Sequence, residues 1–390
     1  MNGVNFRRWT LTVVVSVISL VTIVVCINVT VDAYGILRTD FSRQFQVPNM
    51  NYVKMKYLLA NRSKFDSFIF GSSRSEKIDP KKVTDGEYYD MTYPLGLPEE
   101  HLENIRFMLN SGFRIKNLMI GLDDFSHRAD PKEHQANLDL QLHPAVSGKK
   151  LENFYGEYFL KLSRMFGQIN LYIRHNYTHR NDPEETRFIY DMFQSGRILC
   201  PTCDVQIEEN IEQHINSPEF LKPLIQVRGN NIENVLATMR ELKDIANKRK
   251  IHLTVFINPS HKTAYLDTDL RLFTEFKIKL AEITDYYDFS GLNSITTNNY
   301  YYYETSHYRP LVGDMMLKVM FGSPDVIVPR GFGFHVTREN VDQHLNDQCR
   351  EISGIRVTYD LNAANKAFAD SCDAMTVKAA KDASPSPDHR

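Results

Sequence analysis

Apolar and polar positions change period twice along the chain. From Trp9 to Val31 there is no charged residue and no alternation; an unbroken run of roughly 20 apolar residues is the length of a membrane-spanning helix. Beyond residue 64, short apolar runs take over: Ser67–Phe70, Tyr88–Met91, Asn117–Gly121, Ile251–Ile257 and Asp285–Phe289. Each reads as a strand buried on both faces, because it is too short for a helix and shows no polar side. Between them the period is helical. Glu99 to Leu109 places Leu102, Ile105, Met108 and Leu109 on one stripe, and Ile232–Ala246 and Leu270–Ile283 repeat the pattern. Strands alternating with amphipathic helices predict an α/β fold, doubly wound around a mostly parallel five-stranded sheet.

The alternation stops between Asp124 and Arg228, which predicts a largely helical insertion over about 125–228. It follows the carboxyl end of the third strand, where open α/β sheets build ligand crevices. It therefore either shapes a substrate site or packs as a lid. The remaining divisions are a tail over 1–8, the apolar helix over 9–31, a membrane-proximal segment over 32–64, the main domain over 65–321 and a carboxyl-terminal extension over 322–377. Residues 378–390, with Ser-Pro-Ser-Pro and little apolar content, read as disordered. No internal repeat is visible.

Charge orients this picture. Arg7 and Arg8 precede the apolar run, so the positive-inside rule keeps residues 1–8 in the cytoplasm and sends everything after Asp32 across the membrane. A cleaved signal peptide ending near Val31-Asp32-Ala33 is the alternative, although the apolar run exceeds a usual signal core. With 46 basic and 48 acidic residues there is no electrostatic footprint for nucleic acid. Cys26 lies in the apolar run; Cys200, Cys203, Cys349 and Cys372 lie beyond it, an even number that permits two disulfides on an oxidising side. Cys200-Pro201-Thr202-Cys203 is alternatively a redox pair or half a zinc site, but it has no second such motif and no thioredoxin-like setting. Structural bridges are the expected role. The sequence contains neither a metal-ligand cluster nor a phosphate-cradling glycine loop.

The chemistry-bearing residues fall at strand ends. Gly71-Ser72-Ser73-Arg74 follows the first strand, and Glu304-Thr305-Ser306-His307 precedes the last core helix. A serine hydroxyl becomes a nucleophile when an imidazole takes its proton and a carboxylate holds that imidazole. Three residues apart, Glu304 and His307 share a side in one helical turn or a tight loop. Spacing alone does not single them out. With 13 histidines and 48 acids over 390 positions, about 1.6 acid-x-x-His pairs arise by chance, and two occur. The second, Asp124 with His127, is a direct competitor, just as Ser72 competes with Ser73.

In this order the motifs resemble the SGNH (GDSL-like) hydrolase superfamily, particularly its membrane-anchored exported branch that includes the alginate O-acetylation and D-alanyl transfer proteins. The similarity covers residues 65–321. It implies a flavodoxin-like sheet, with Ser73 as nucleophile, His307 as base and Glu304, in place of the usual Asp, as its orienter. Gly96, in the loop after the second strand, resembles the glycine whose amide joins that of Ser73 in the oxyanion hole. The third donor position, an Asn in family esterases, reads Asp123 here, and an ionised Asp cannot donate. The resemblance breaks the tie between the acid-His pairs in favour of Glu304 and His307. It implies a polysaccharide or glycan substrate carrying an acyl ester, no cofactor, a membrane acyl-donor protein as partner, and a bacterial inner membrane with the catalytic domain outside the cytoplasm. Arg74 and His261 are the candidates to face substrate, against a salt bridge to the core surface for Arg74 and a hydrogen-bonded loop role for His261, and the run Asn299–Glu304 offers tyrosine faces either for sugar stacking or for packing around the site. The alternative is an inactive relative that binds or scaffolds envelope polysaccharide.

Overall fold

All five apolar runs form strands in the computed structural model, which describes residues 3–41, 44, 46–174, 177, 188–222, 229–355 and 361–382. In chain order the strands are β1 (Ser67–Phe70), β2 (Tyr88–Asp90), β3 (Asn117–Leu122), β4 (Ile189–Asp191), β5 (Arg197–Leu199), β6 (His252–Ile257), β7 (Tyr286–Asp288) and β8 (Phe334–Val336). The main sheet runs β2-β1-β3-β6-β7-β8. Its first five members are parallel, whereas β8 pairs antiparallel with β7. The sheet is therefore mixed and six-stranded, not five-stranded. β8 escapes detection because it has three residues, two of them exposed, and follows Pro329 and two glycines in a stretch without apolar alternation.

The chain divides into two units. The larger, residues 61–131 and 204–390, holds the main sheet. β1 and β3 are buried along their whole lengths, and successive side chains point to opposite faces. Ile69, Met119 and Phe256 share one core cluster with Val312, Met316 and Leu317 of the helix Pro310–Phe321. From β1 the chain steps outward to β2, then crosses back over β1 to β3. Connections leaving β1 and β3 at their carboxyl ends thus part company, the switch point at which open α/β sheets place ligand crevices. The carboxyl-terminal helices belong to this unit. Cys349 bridges Cys372, and Lys277 from Leu270–Ala281 is buried against Asp288, which also meets His344. The last helix continues to Asp382, past the expected start of the tail at Lys378; residues 383–390 lie outside the described residues.

The smaller unit, residues 1–60 and 132–203, contains the apolar helix Gly3–Val31, whose portion Phe6–Val31 is long and apolar enough to cross a membrane. Most of that helix is exposed, but Val24, Asn28 and Val31 form a buried stripe on its last turns. The helices Leu151–Phe159 and Leu162–Ile173 cover it. Asn49 caps Met50–Ala60 through Tyr52 N–H at 2.9 Å and donates to the Leu138 and Gln141 carbonyls, both at 2.9 Å. β4 and β5 form a hairpin ahead of the Cys200–Cys203 bridge. The expected insertion thus splits: 132–203 folds with the first 60 residues, and 204 onward folds with the main sheet.

Candidate active site

The turn after β1 is shaped by close packing. A β-carbon on Gly71 would collide with the Ser75 hydroxyl, so only glycine lets the strand end there and reverse. Ser72 is buried and its hydroxyl accepts the Arg74 amide at 3.2 Å, a local turn bond. Ser73 is half-buried and its Oγ lies 2.8 Å from His307 Nε2. One residue of register separates a turn-forming hydroxyl from one held against an imidazole.

The other half of the site sits on a closed loop. Tyr302 bridges Tyr308 in antiparallel fashion, Tyr303 N–H donates to His307 O at 2.9 Å, and Arg309 N–H to Tyr301 O at 2.9 Å. Of the two local geometries open to Glu304 and His307, the structure uses the tight loop, and the helix begins only at Pro310. The Glu304 carboxylate accepts Ser306 N–H at 2.7 Å, His307 N–H at 3.0 Å, and His307 Nδ1. Burial pushes that carboxyl up, but the hydrogen bonds from His307 Nδ1 and the two amides outweigh it and hold Glu304 below its ordinary value. An ionised carboxylate only accepts, so Nδ1 carries the imidazole proton and Nε2 presents its lone pair to the Ser73 hydroxyl. This is the polarity that serine activation requires.

Arg74, a candidate to face substrate, is instead 2% exposed. Its Nη1 donates to Asp123 at 3.2 Å, to Asp124 and to Ser260 at 3.0 Å, while Nε donates to the Ser306 carbonyl at 3.0 Å. One guanidinium thus ties the serine turn to the ends of β3 and β6 and to the histidine loop. Asp123 is buried between Arg74 and Asn258, whose Nδ2 lies 3.2 Å from it. Burial pushes its carboxyl up despite Arg74, because that guanidinium is shared with Asp124. His261, the other candidate to face substrate, is fully buried. Its Nδ1 caps Lys262–Asp267 through Thr263 N–H at 3.2 Å and its Nε2 meets Asn299 at 2.9 Å; burial lowers its pKa to about 4.

The competing pair is not made. Asp124 is spent on Arg74, while His127 is buried between Phe273 and Phe276 with centroid distances of 5.5 and 5.1 Å. Burial lowers the His127 pKa to about 4. The tyrosine run is engaged within the protein, with only Tyr302 buried. Tyr302 is core, Tyr303 donates to Asp204 at 3.0 Å, and Tyr300 donates to Glu208 at 2.8 Å beneath the Arg309 guanidinium.

Gly96 approaches β1 more closely than any other residue type would allow, since a β-carbon there would overlap the Gly71 carbonyl. Tyr93-Pro94-Leu95-Gly96 is a tight turn closed by Gly96 N–H to Tyr93 O at 3.1 Å, with Leu95 at φ 55. Pro followed by a positive-φ residue is the pattern of a type II turn. Gly96→Ala is expected to cost about 1–3 kcal/mol through overpacking against backbone, read as a lower urea midpoint at unchanged m-value.

Several supporting residues carry no signal in the sequence. Asn258 donates to Ser75 at 2.9 Å and accepts from Tyr308 at 3.0 Å, and Arg309 binds Asp204 at 2.6 Å and Glu208 at 2.7 Å. The only hint is position: Asn258 and Ser260 end a strand, and Tyr308 and Arg309 follow the candidate histidine. Among the described residues no group of His, Cys, Asp and Glu is arranged to hold a metal ion. No protein-family model matches the chain, and no curated protein matches it.

Proposed function

We propose that this chain is a membrane-anchored serine esterase or O-acyltransferase of the SGNH-like kind, acting on an acyl ester of a cell-envelope polysaccharide or glycoconjugate. The observation that carries the reading is the ordered chain Ser73 Oγ to His307 Nε2 at 2.8 Å and His307 Nδ1 to Glu304. Ser73 attacks the ester carbonyl as its proton passes to His307 Nε2, and Glu304 stabilises the imidazolium. The Ser73 amide would stabilise the developing oxyanion, and the Gly96 amide would join it only on releasing the Tyr93 carbonyl, to which it donates at 3.1 Å. His307 then returns the proton to the departing alcohol, leaving an acyl-serine. Water or a sugar hydroxyl, deprotonated by the same imidazole, takes the acyl group and restores the serine. Arg7, Arg8 and the apolar run that follows support the anchor and the extracytoplasmic placement; the bacterial inner membrane and the acyl-donor partner come from the family resemblance alone.

A second reading, an inactive binding or scaffold protein, draws on the oxyanion side. The Gly96 amide is committed to Tyr93, and Asp123 is engaged by Arg74 and Asn258. A fluorophosphonate probe separates the two. The enzyme reading expects covalent labelling of the wild type that disappears in Ser73→Ala and persists in Ser72→Ala, with an ester-turnover loss of about 10⁴-fold or more for the first variant. A folded wild type that remains unlabelled where other serine hydrolases react favours the scaffold.

A further inference from the structure

We propose that the helix Leu162–Ile173 lies in the outer boundary of the bilayer, so that the smaller unit rests on the lipid surface beside its own anchor. The inference rests on reading Phe6–Val31 as a membrane span. It adds a second, peripheral contact with lipid.

The argument begins with periodicity. At about 100° per residue, Leu162, Phe166, Ile169 and Ile173 fall on one stripe of this helix. In a helix packed on protein alone, such a stripe turns inward. Here Met165 and Gln168 face inward instead, while Leu162, Phe166 and Ile173 are exposed, Phe166 to 62%. Leu160, just before the helix, is exposed as well. Ser163 and Asn170, further round and also exposed, give the helix a polar outer side. Among the described residues it is thus exposed on an apolar side and polar on the next, the pattern of helices that lie in a membrane interface.

Position supplies the occupant. Trp9 follows Arg7 and Arg8, where an interfacial aromatic is expected. Roughly 20 residues at about 1.5 Å each cross a hydrocarbon core of about 30 Å, which brings the far boundary near Asn28. That is the level at which the second helix is attached. Asn28 donates to the Phe159 carbonyl at 2.9 Å, Gln168 accepts the Ala33 amide at 3.4 Å, and Val24, Asn28 and Val31 are buried against the helices there. The stripe therefore belongs to a helix held against the last turns of the span, at the level where a headgroup layer would meet acyl chains. Lys161 and Arg174 flank the helix on both sides, suited to anionic headgroups. A second protein on this face would have to displace lipid already drawn there by the span.

The test uses full-length chain reconstituted into vesicles of phosphatidylcholine and phosphatidylglycerol, with and without acyl-chain bromination. Trp9 is the single tryptophan, so wild type reports the anchor, and Trp9→Phe combined with Phe166→Trp reports the stripe. Gly167→Trp in the same background is the control, about 130° round the helix from the stripe and in open space. Expected results are strong bromolipid quenching at position 166, at a depth of about 5–10 Å below the headgroups, and at least threefold weaker quenching at position 167. Quenching at 166 no greater than at 167, with full access to aqueous iodide, overturns the proposal. Protection of position 166 from both quenchers overturns it too and assigns the face to a protein, such as a second copy. If Trp9 itself is unquenched and the chain leaves the vesicles, the span reading fails and the proposal falls with it. That outcome is distinct from an embedded anchor whose indole at position 166 stays in water.

Discussion

Arg74→Met is expected to destabilise the larger unit by about 3–5 kcal/mol, the range for removing one partner of a buried ion pair. The loss is large because the guanidinium compensates two buried carboxylates, Asp123 and Asp124, and also bonds Ser260 and the Ser306 carbonyl. Methionine matches the apolar stem but returns none of these bonds. The cost should depend on pH in a defined direction. Asp123 is already pushed above its ordinary value of 3.8 by burial, and loss of Arg74 pushes it further. A carboxyl raised in the folded state favours folding when protonated, so the deficit is greatest at neutral pH and shrinks as pH falls toward the raised folded value. Urea midpoints at neutral and mildly acid pH check this sign. The folded fraction should also label with fluorophosphonate about 10²-fold more slowly, because Arg74 fixes the serine turn relative to the histidine loop and small displacements of a reacting pair are costly.

Lys277→Met should destabilise by a similar amount, about 3–5 kcal/mol, yet leave labelling per folded molecule unchanged. Lys277 is 1% exposed, 2.9 Å from Asp288, and donates to Ser290 at 2.7 Å and Gln348 at 2.9 Å. Burial pushes the Asp288 carboxyl up, but Lys277 and His344 outweigh it and hold it below its ordinary value of 3.8. That group's stabilising share is present above its unfolded value and fades as pH falls through its folded one. Removing the lysine leaves a buried anion that must rely on His344 for charge compensation. Lys277→Met combined with Asp288→Leu should recover much of the loss, since a buried pair replaced by apolar side chains is often neutral. A labelling rate that falls with Lys277→Met would show instead that the carboxyl-terminal network reaches the serine turn. Thermal midpoints supply the stability readout, at roughly 2–4 °C per kcal/mol.

The sheet was legible because strands buried on both faces leave continuous apolar runs, and the same rule explains the miss at β8, an exposed three-residue edge. Candidate chemistry was legible only as alternatives. Ser72 and Ser73, and the pairs Asp124 with His127 and Glu304 with His307, differ little as strings of residue types. For Arg74 and His261 the choice between facing substrate and being bonded within the protein stayed open for a common reason: a polar residue at a strand end points either outward or back under the turn, and the sequence contains no term for that choice. The network of Asn258, Ser260, Tyr308 and Arg309 was silent because its members are far apart along the chain and meet only through folding.

Local patterning thus determined an apolar helix of spanning length, an α/β alternation with its strand positions, and a short set of groups at strand ends. Those properties depend on periods of two and 3.6 residues and on the length of uninterrupted apolar runs, all of which are readable along one dimension. Tertiary structure decided which serine meets which histidine, that Arg74 is a buried tie, and that residues 132–203 fold with the amino-terminal 60. Each of these turns on hydrogen bonds and burial between distant segments, and a one-residue change of turn geometry is enough to alter them.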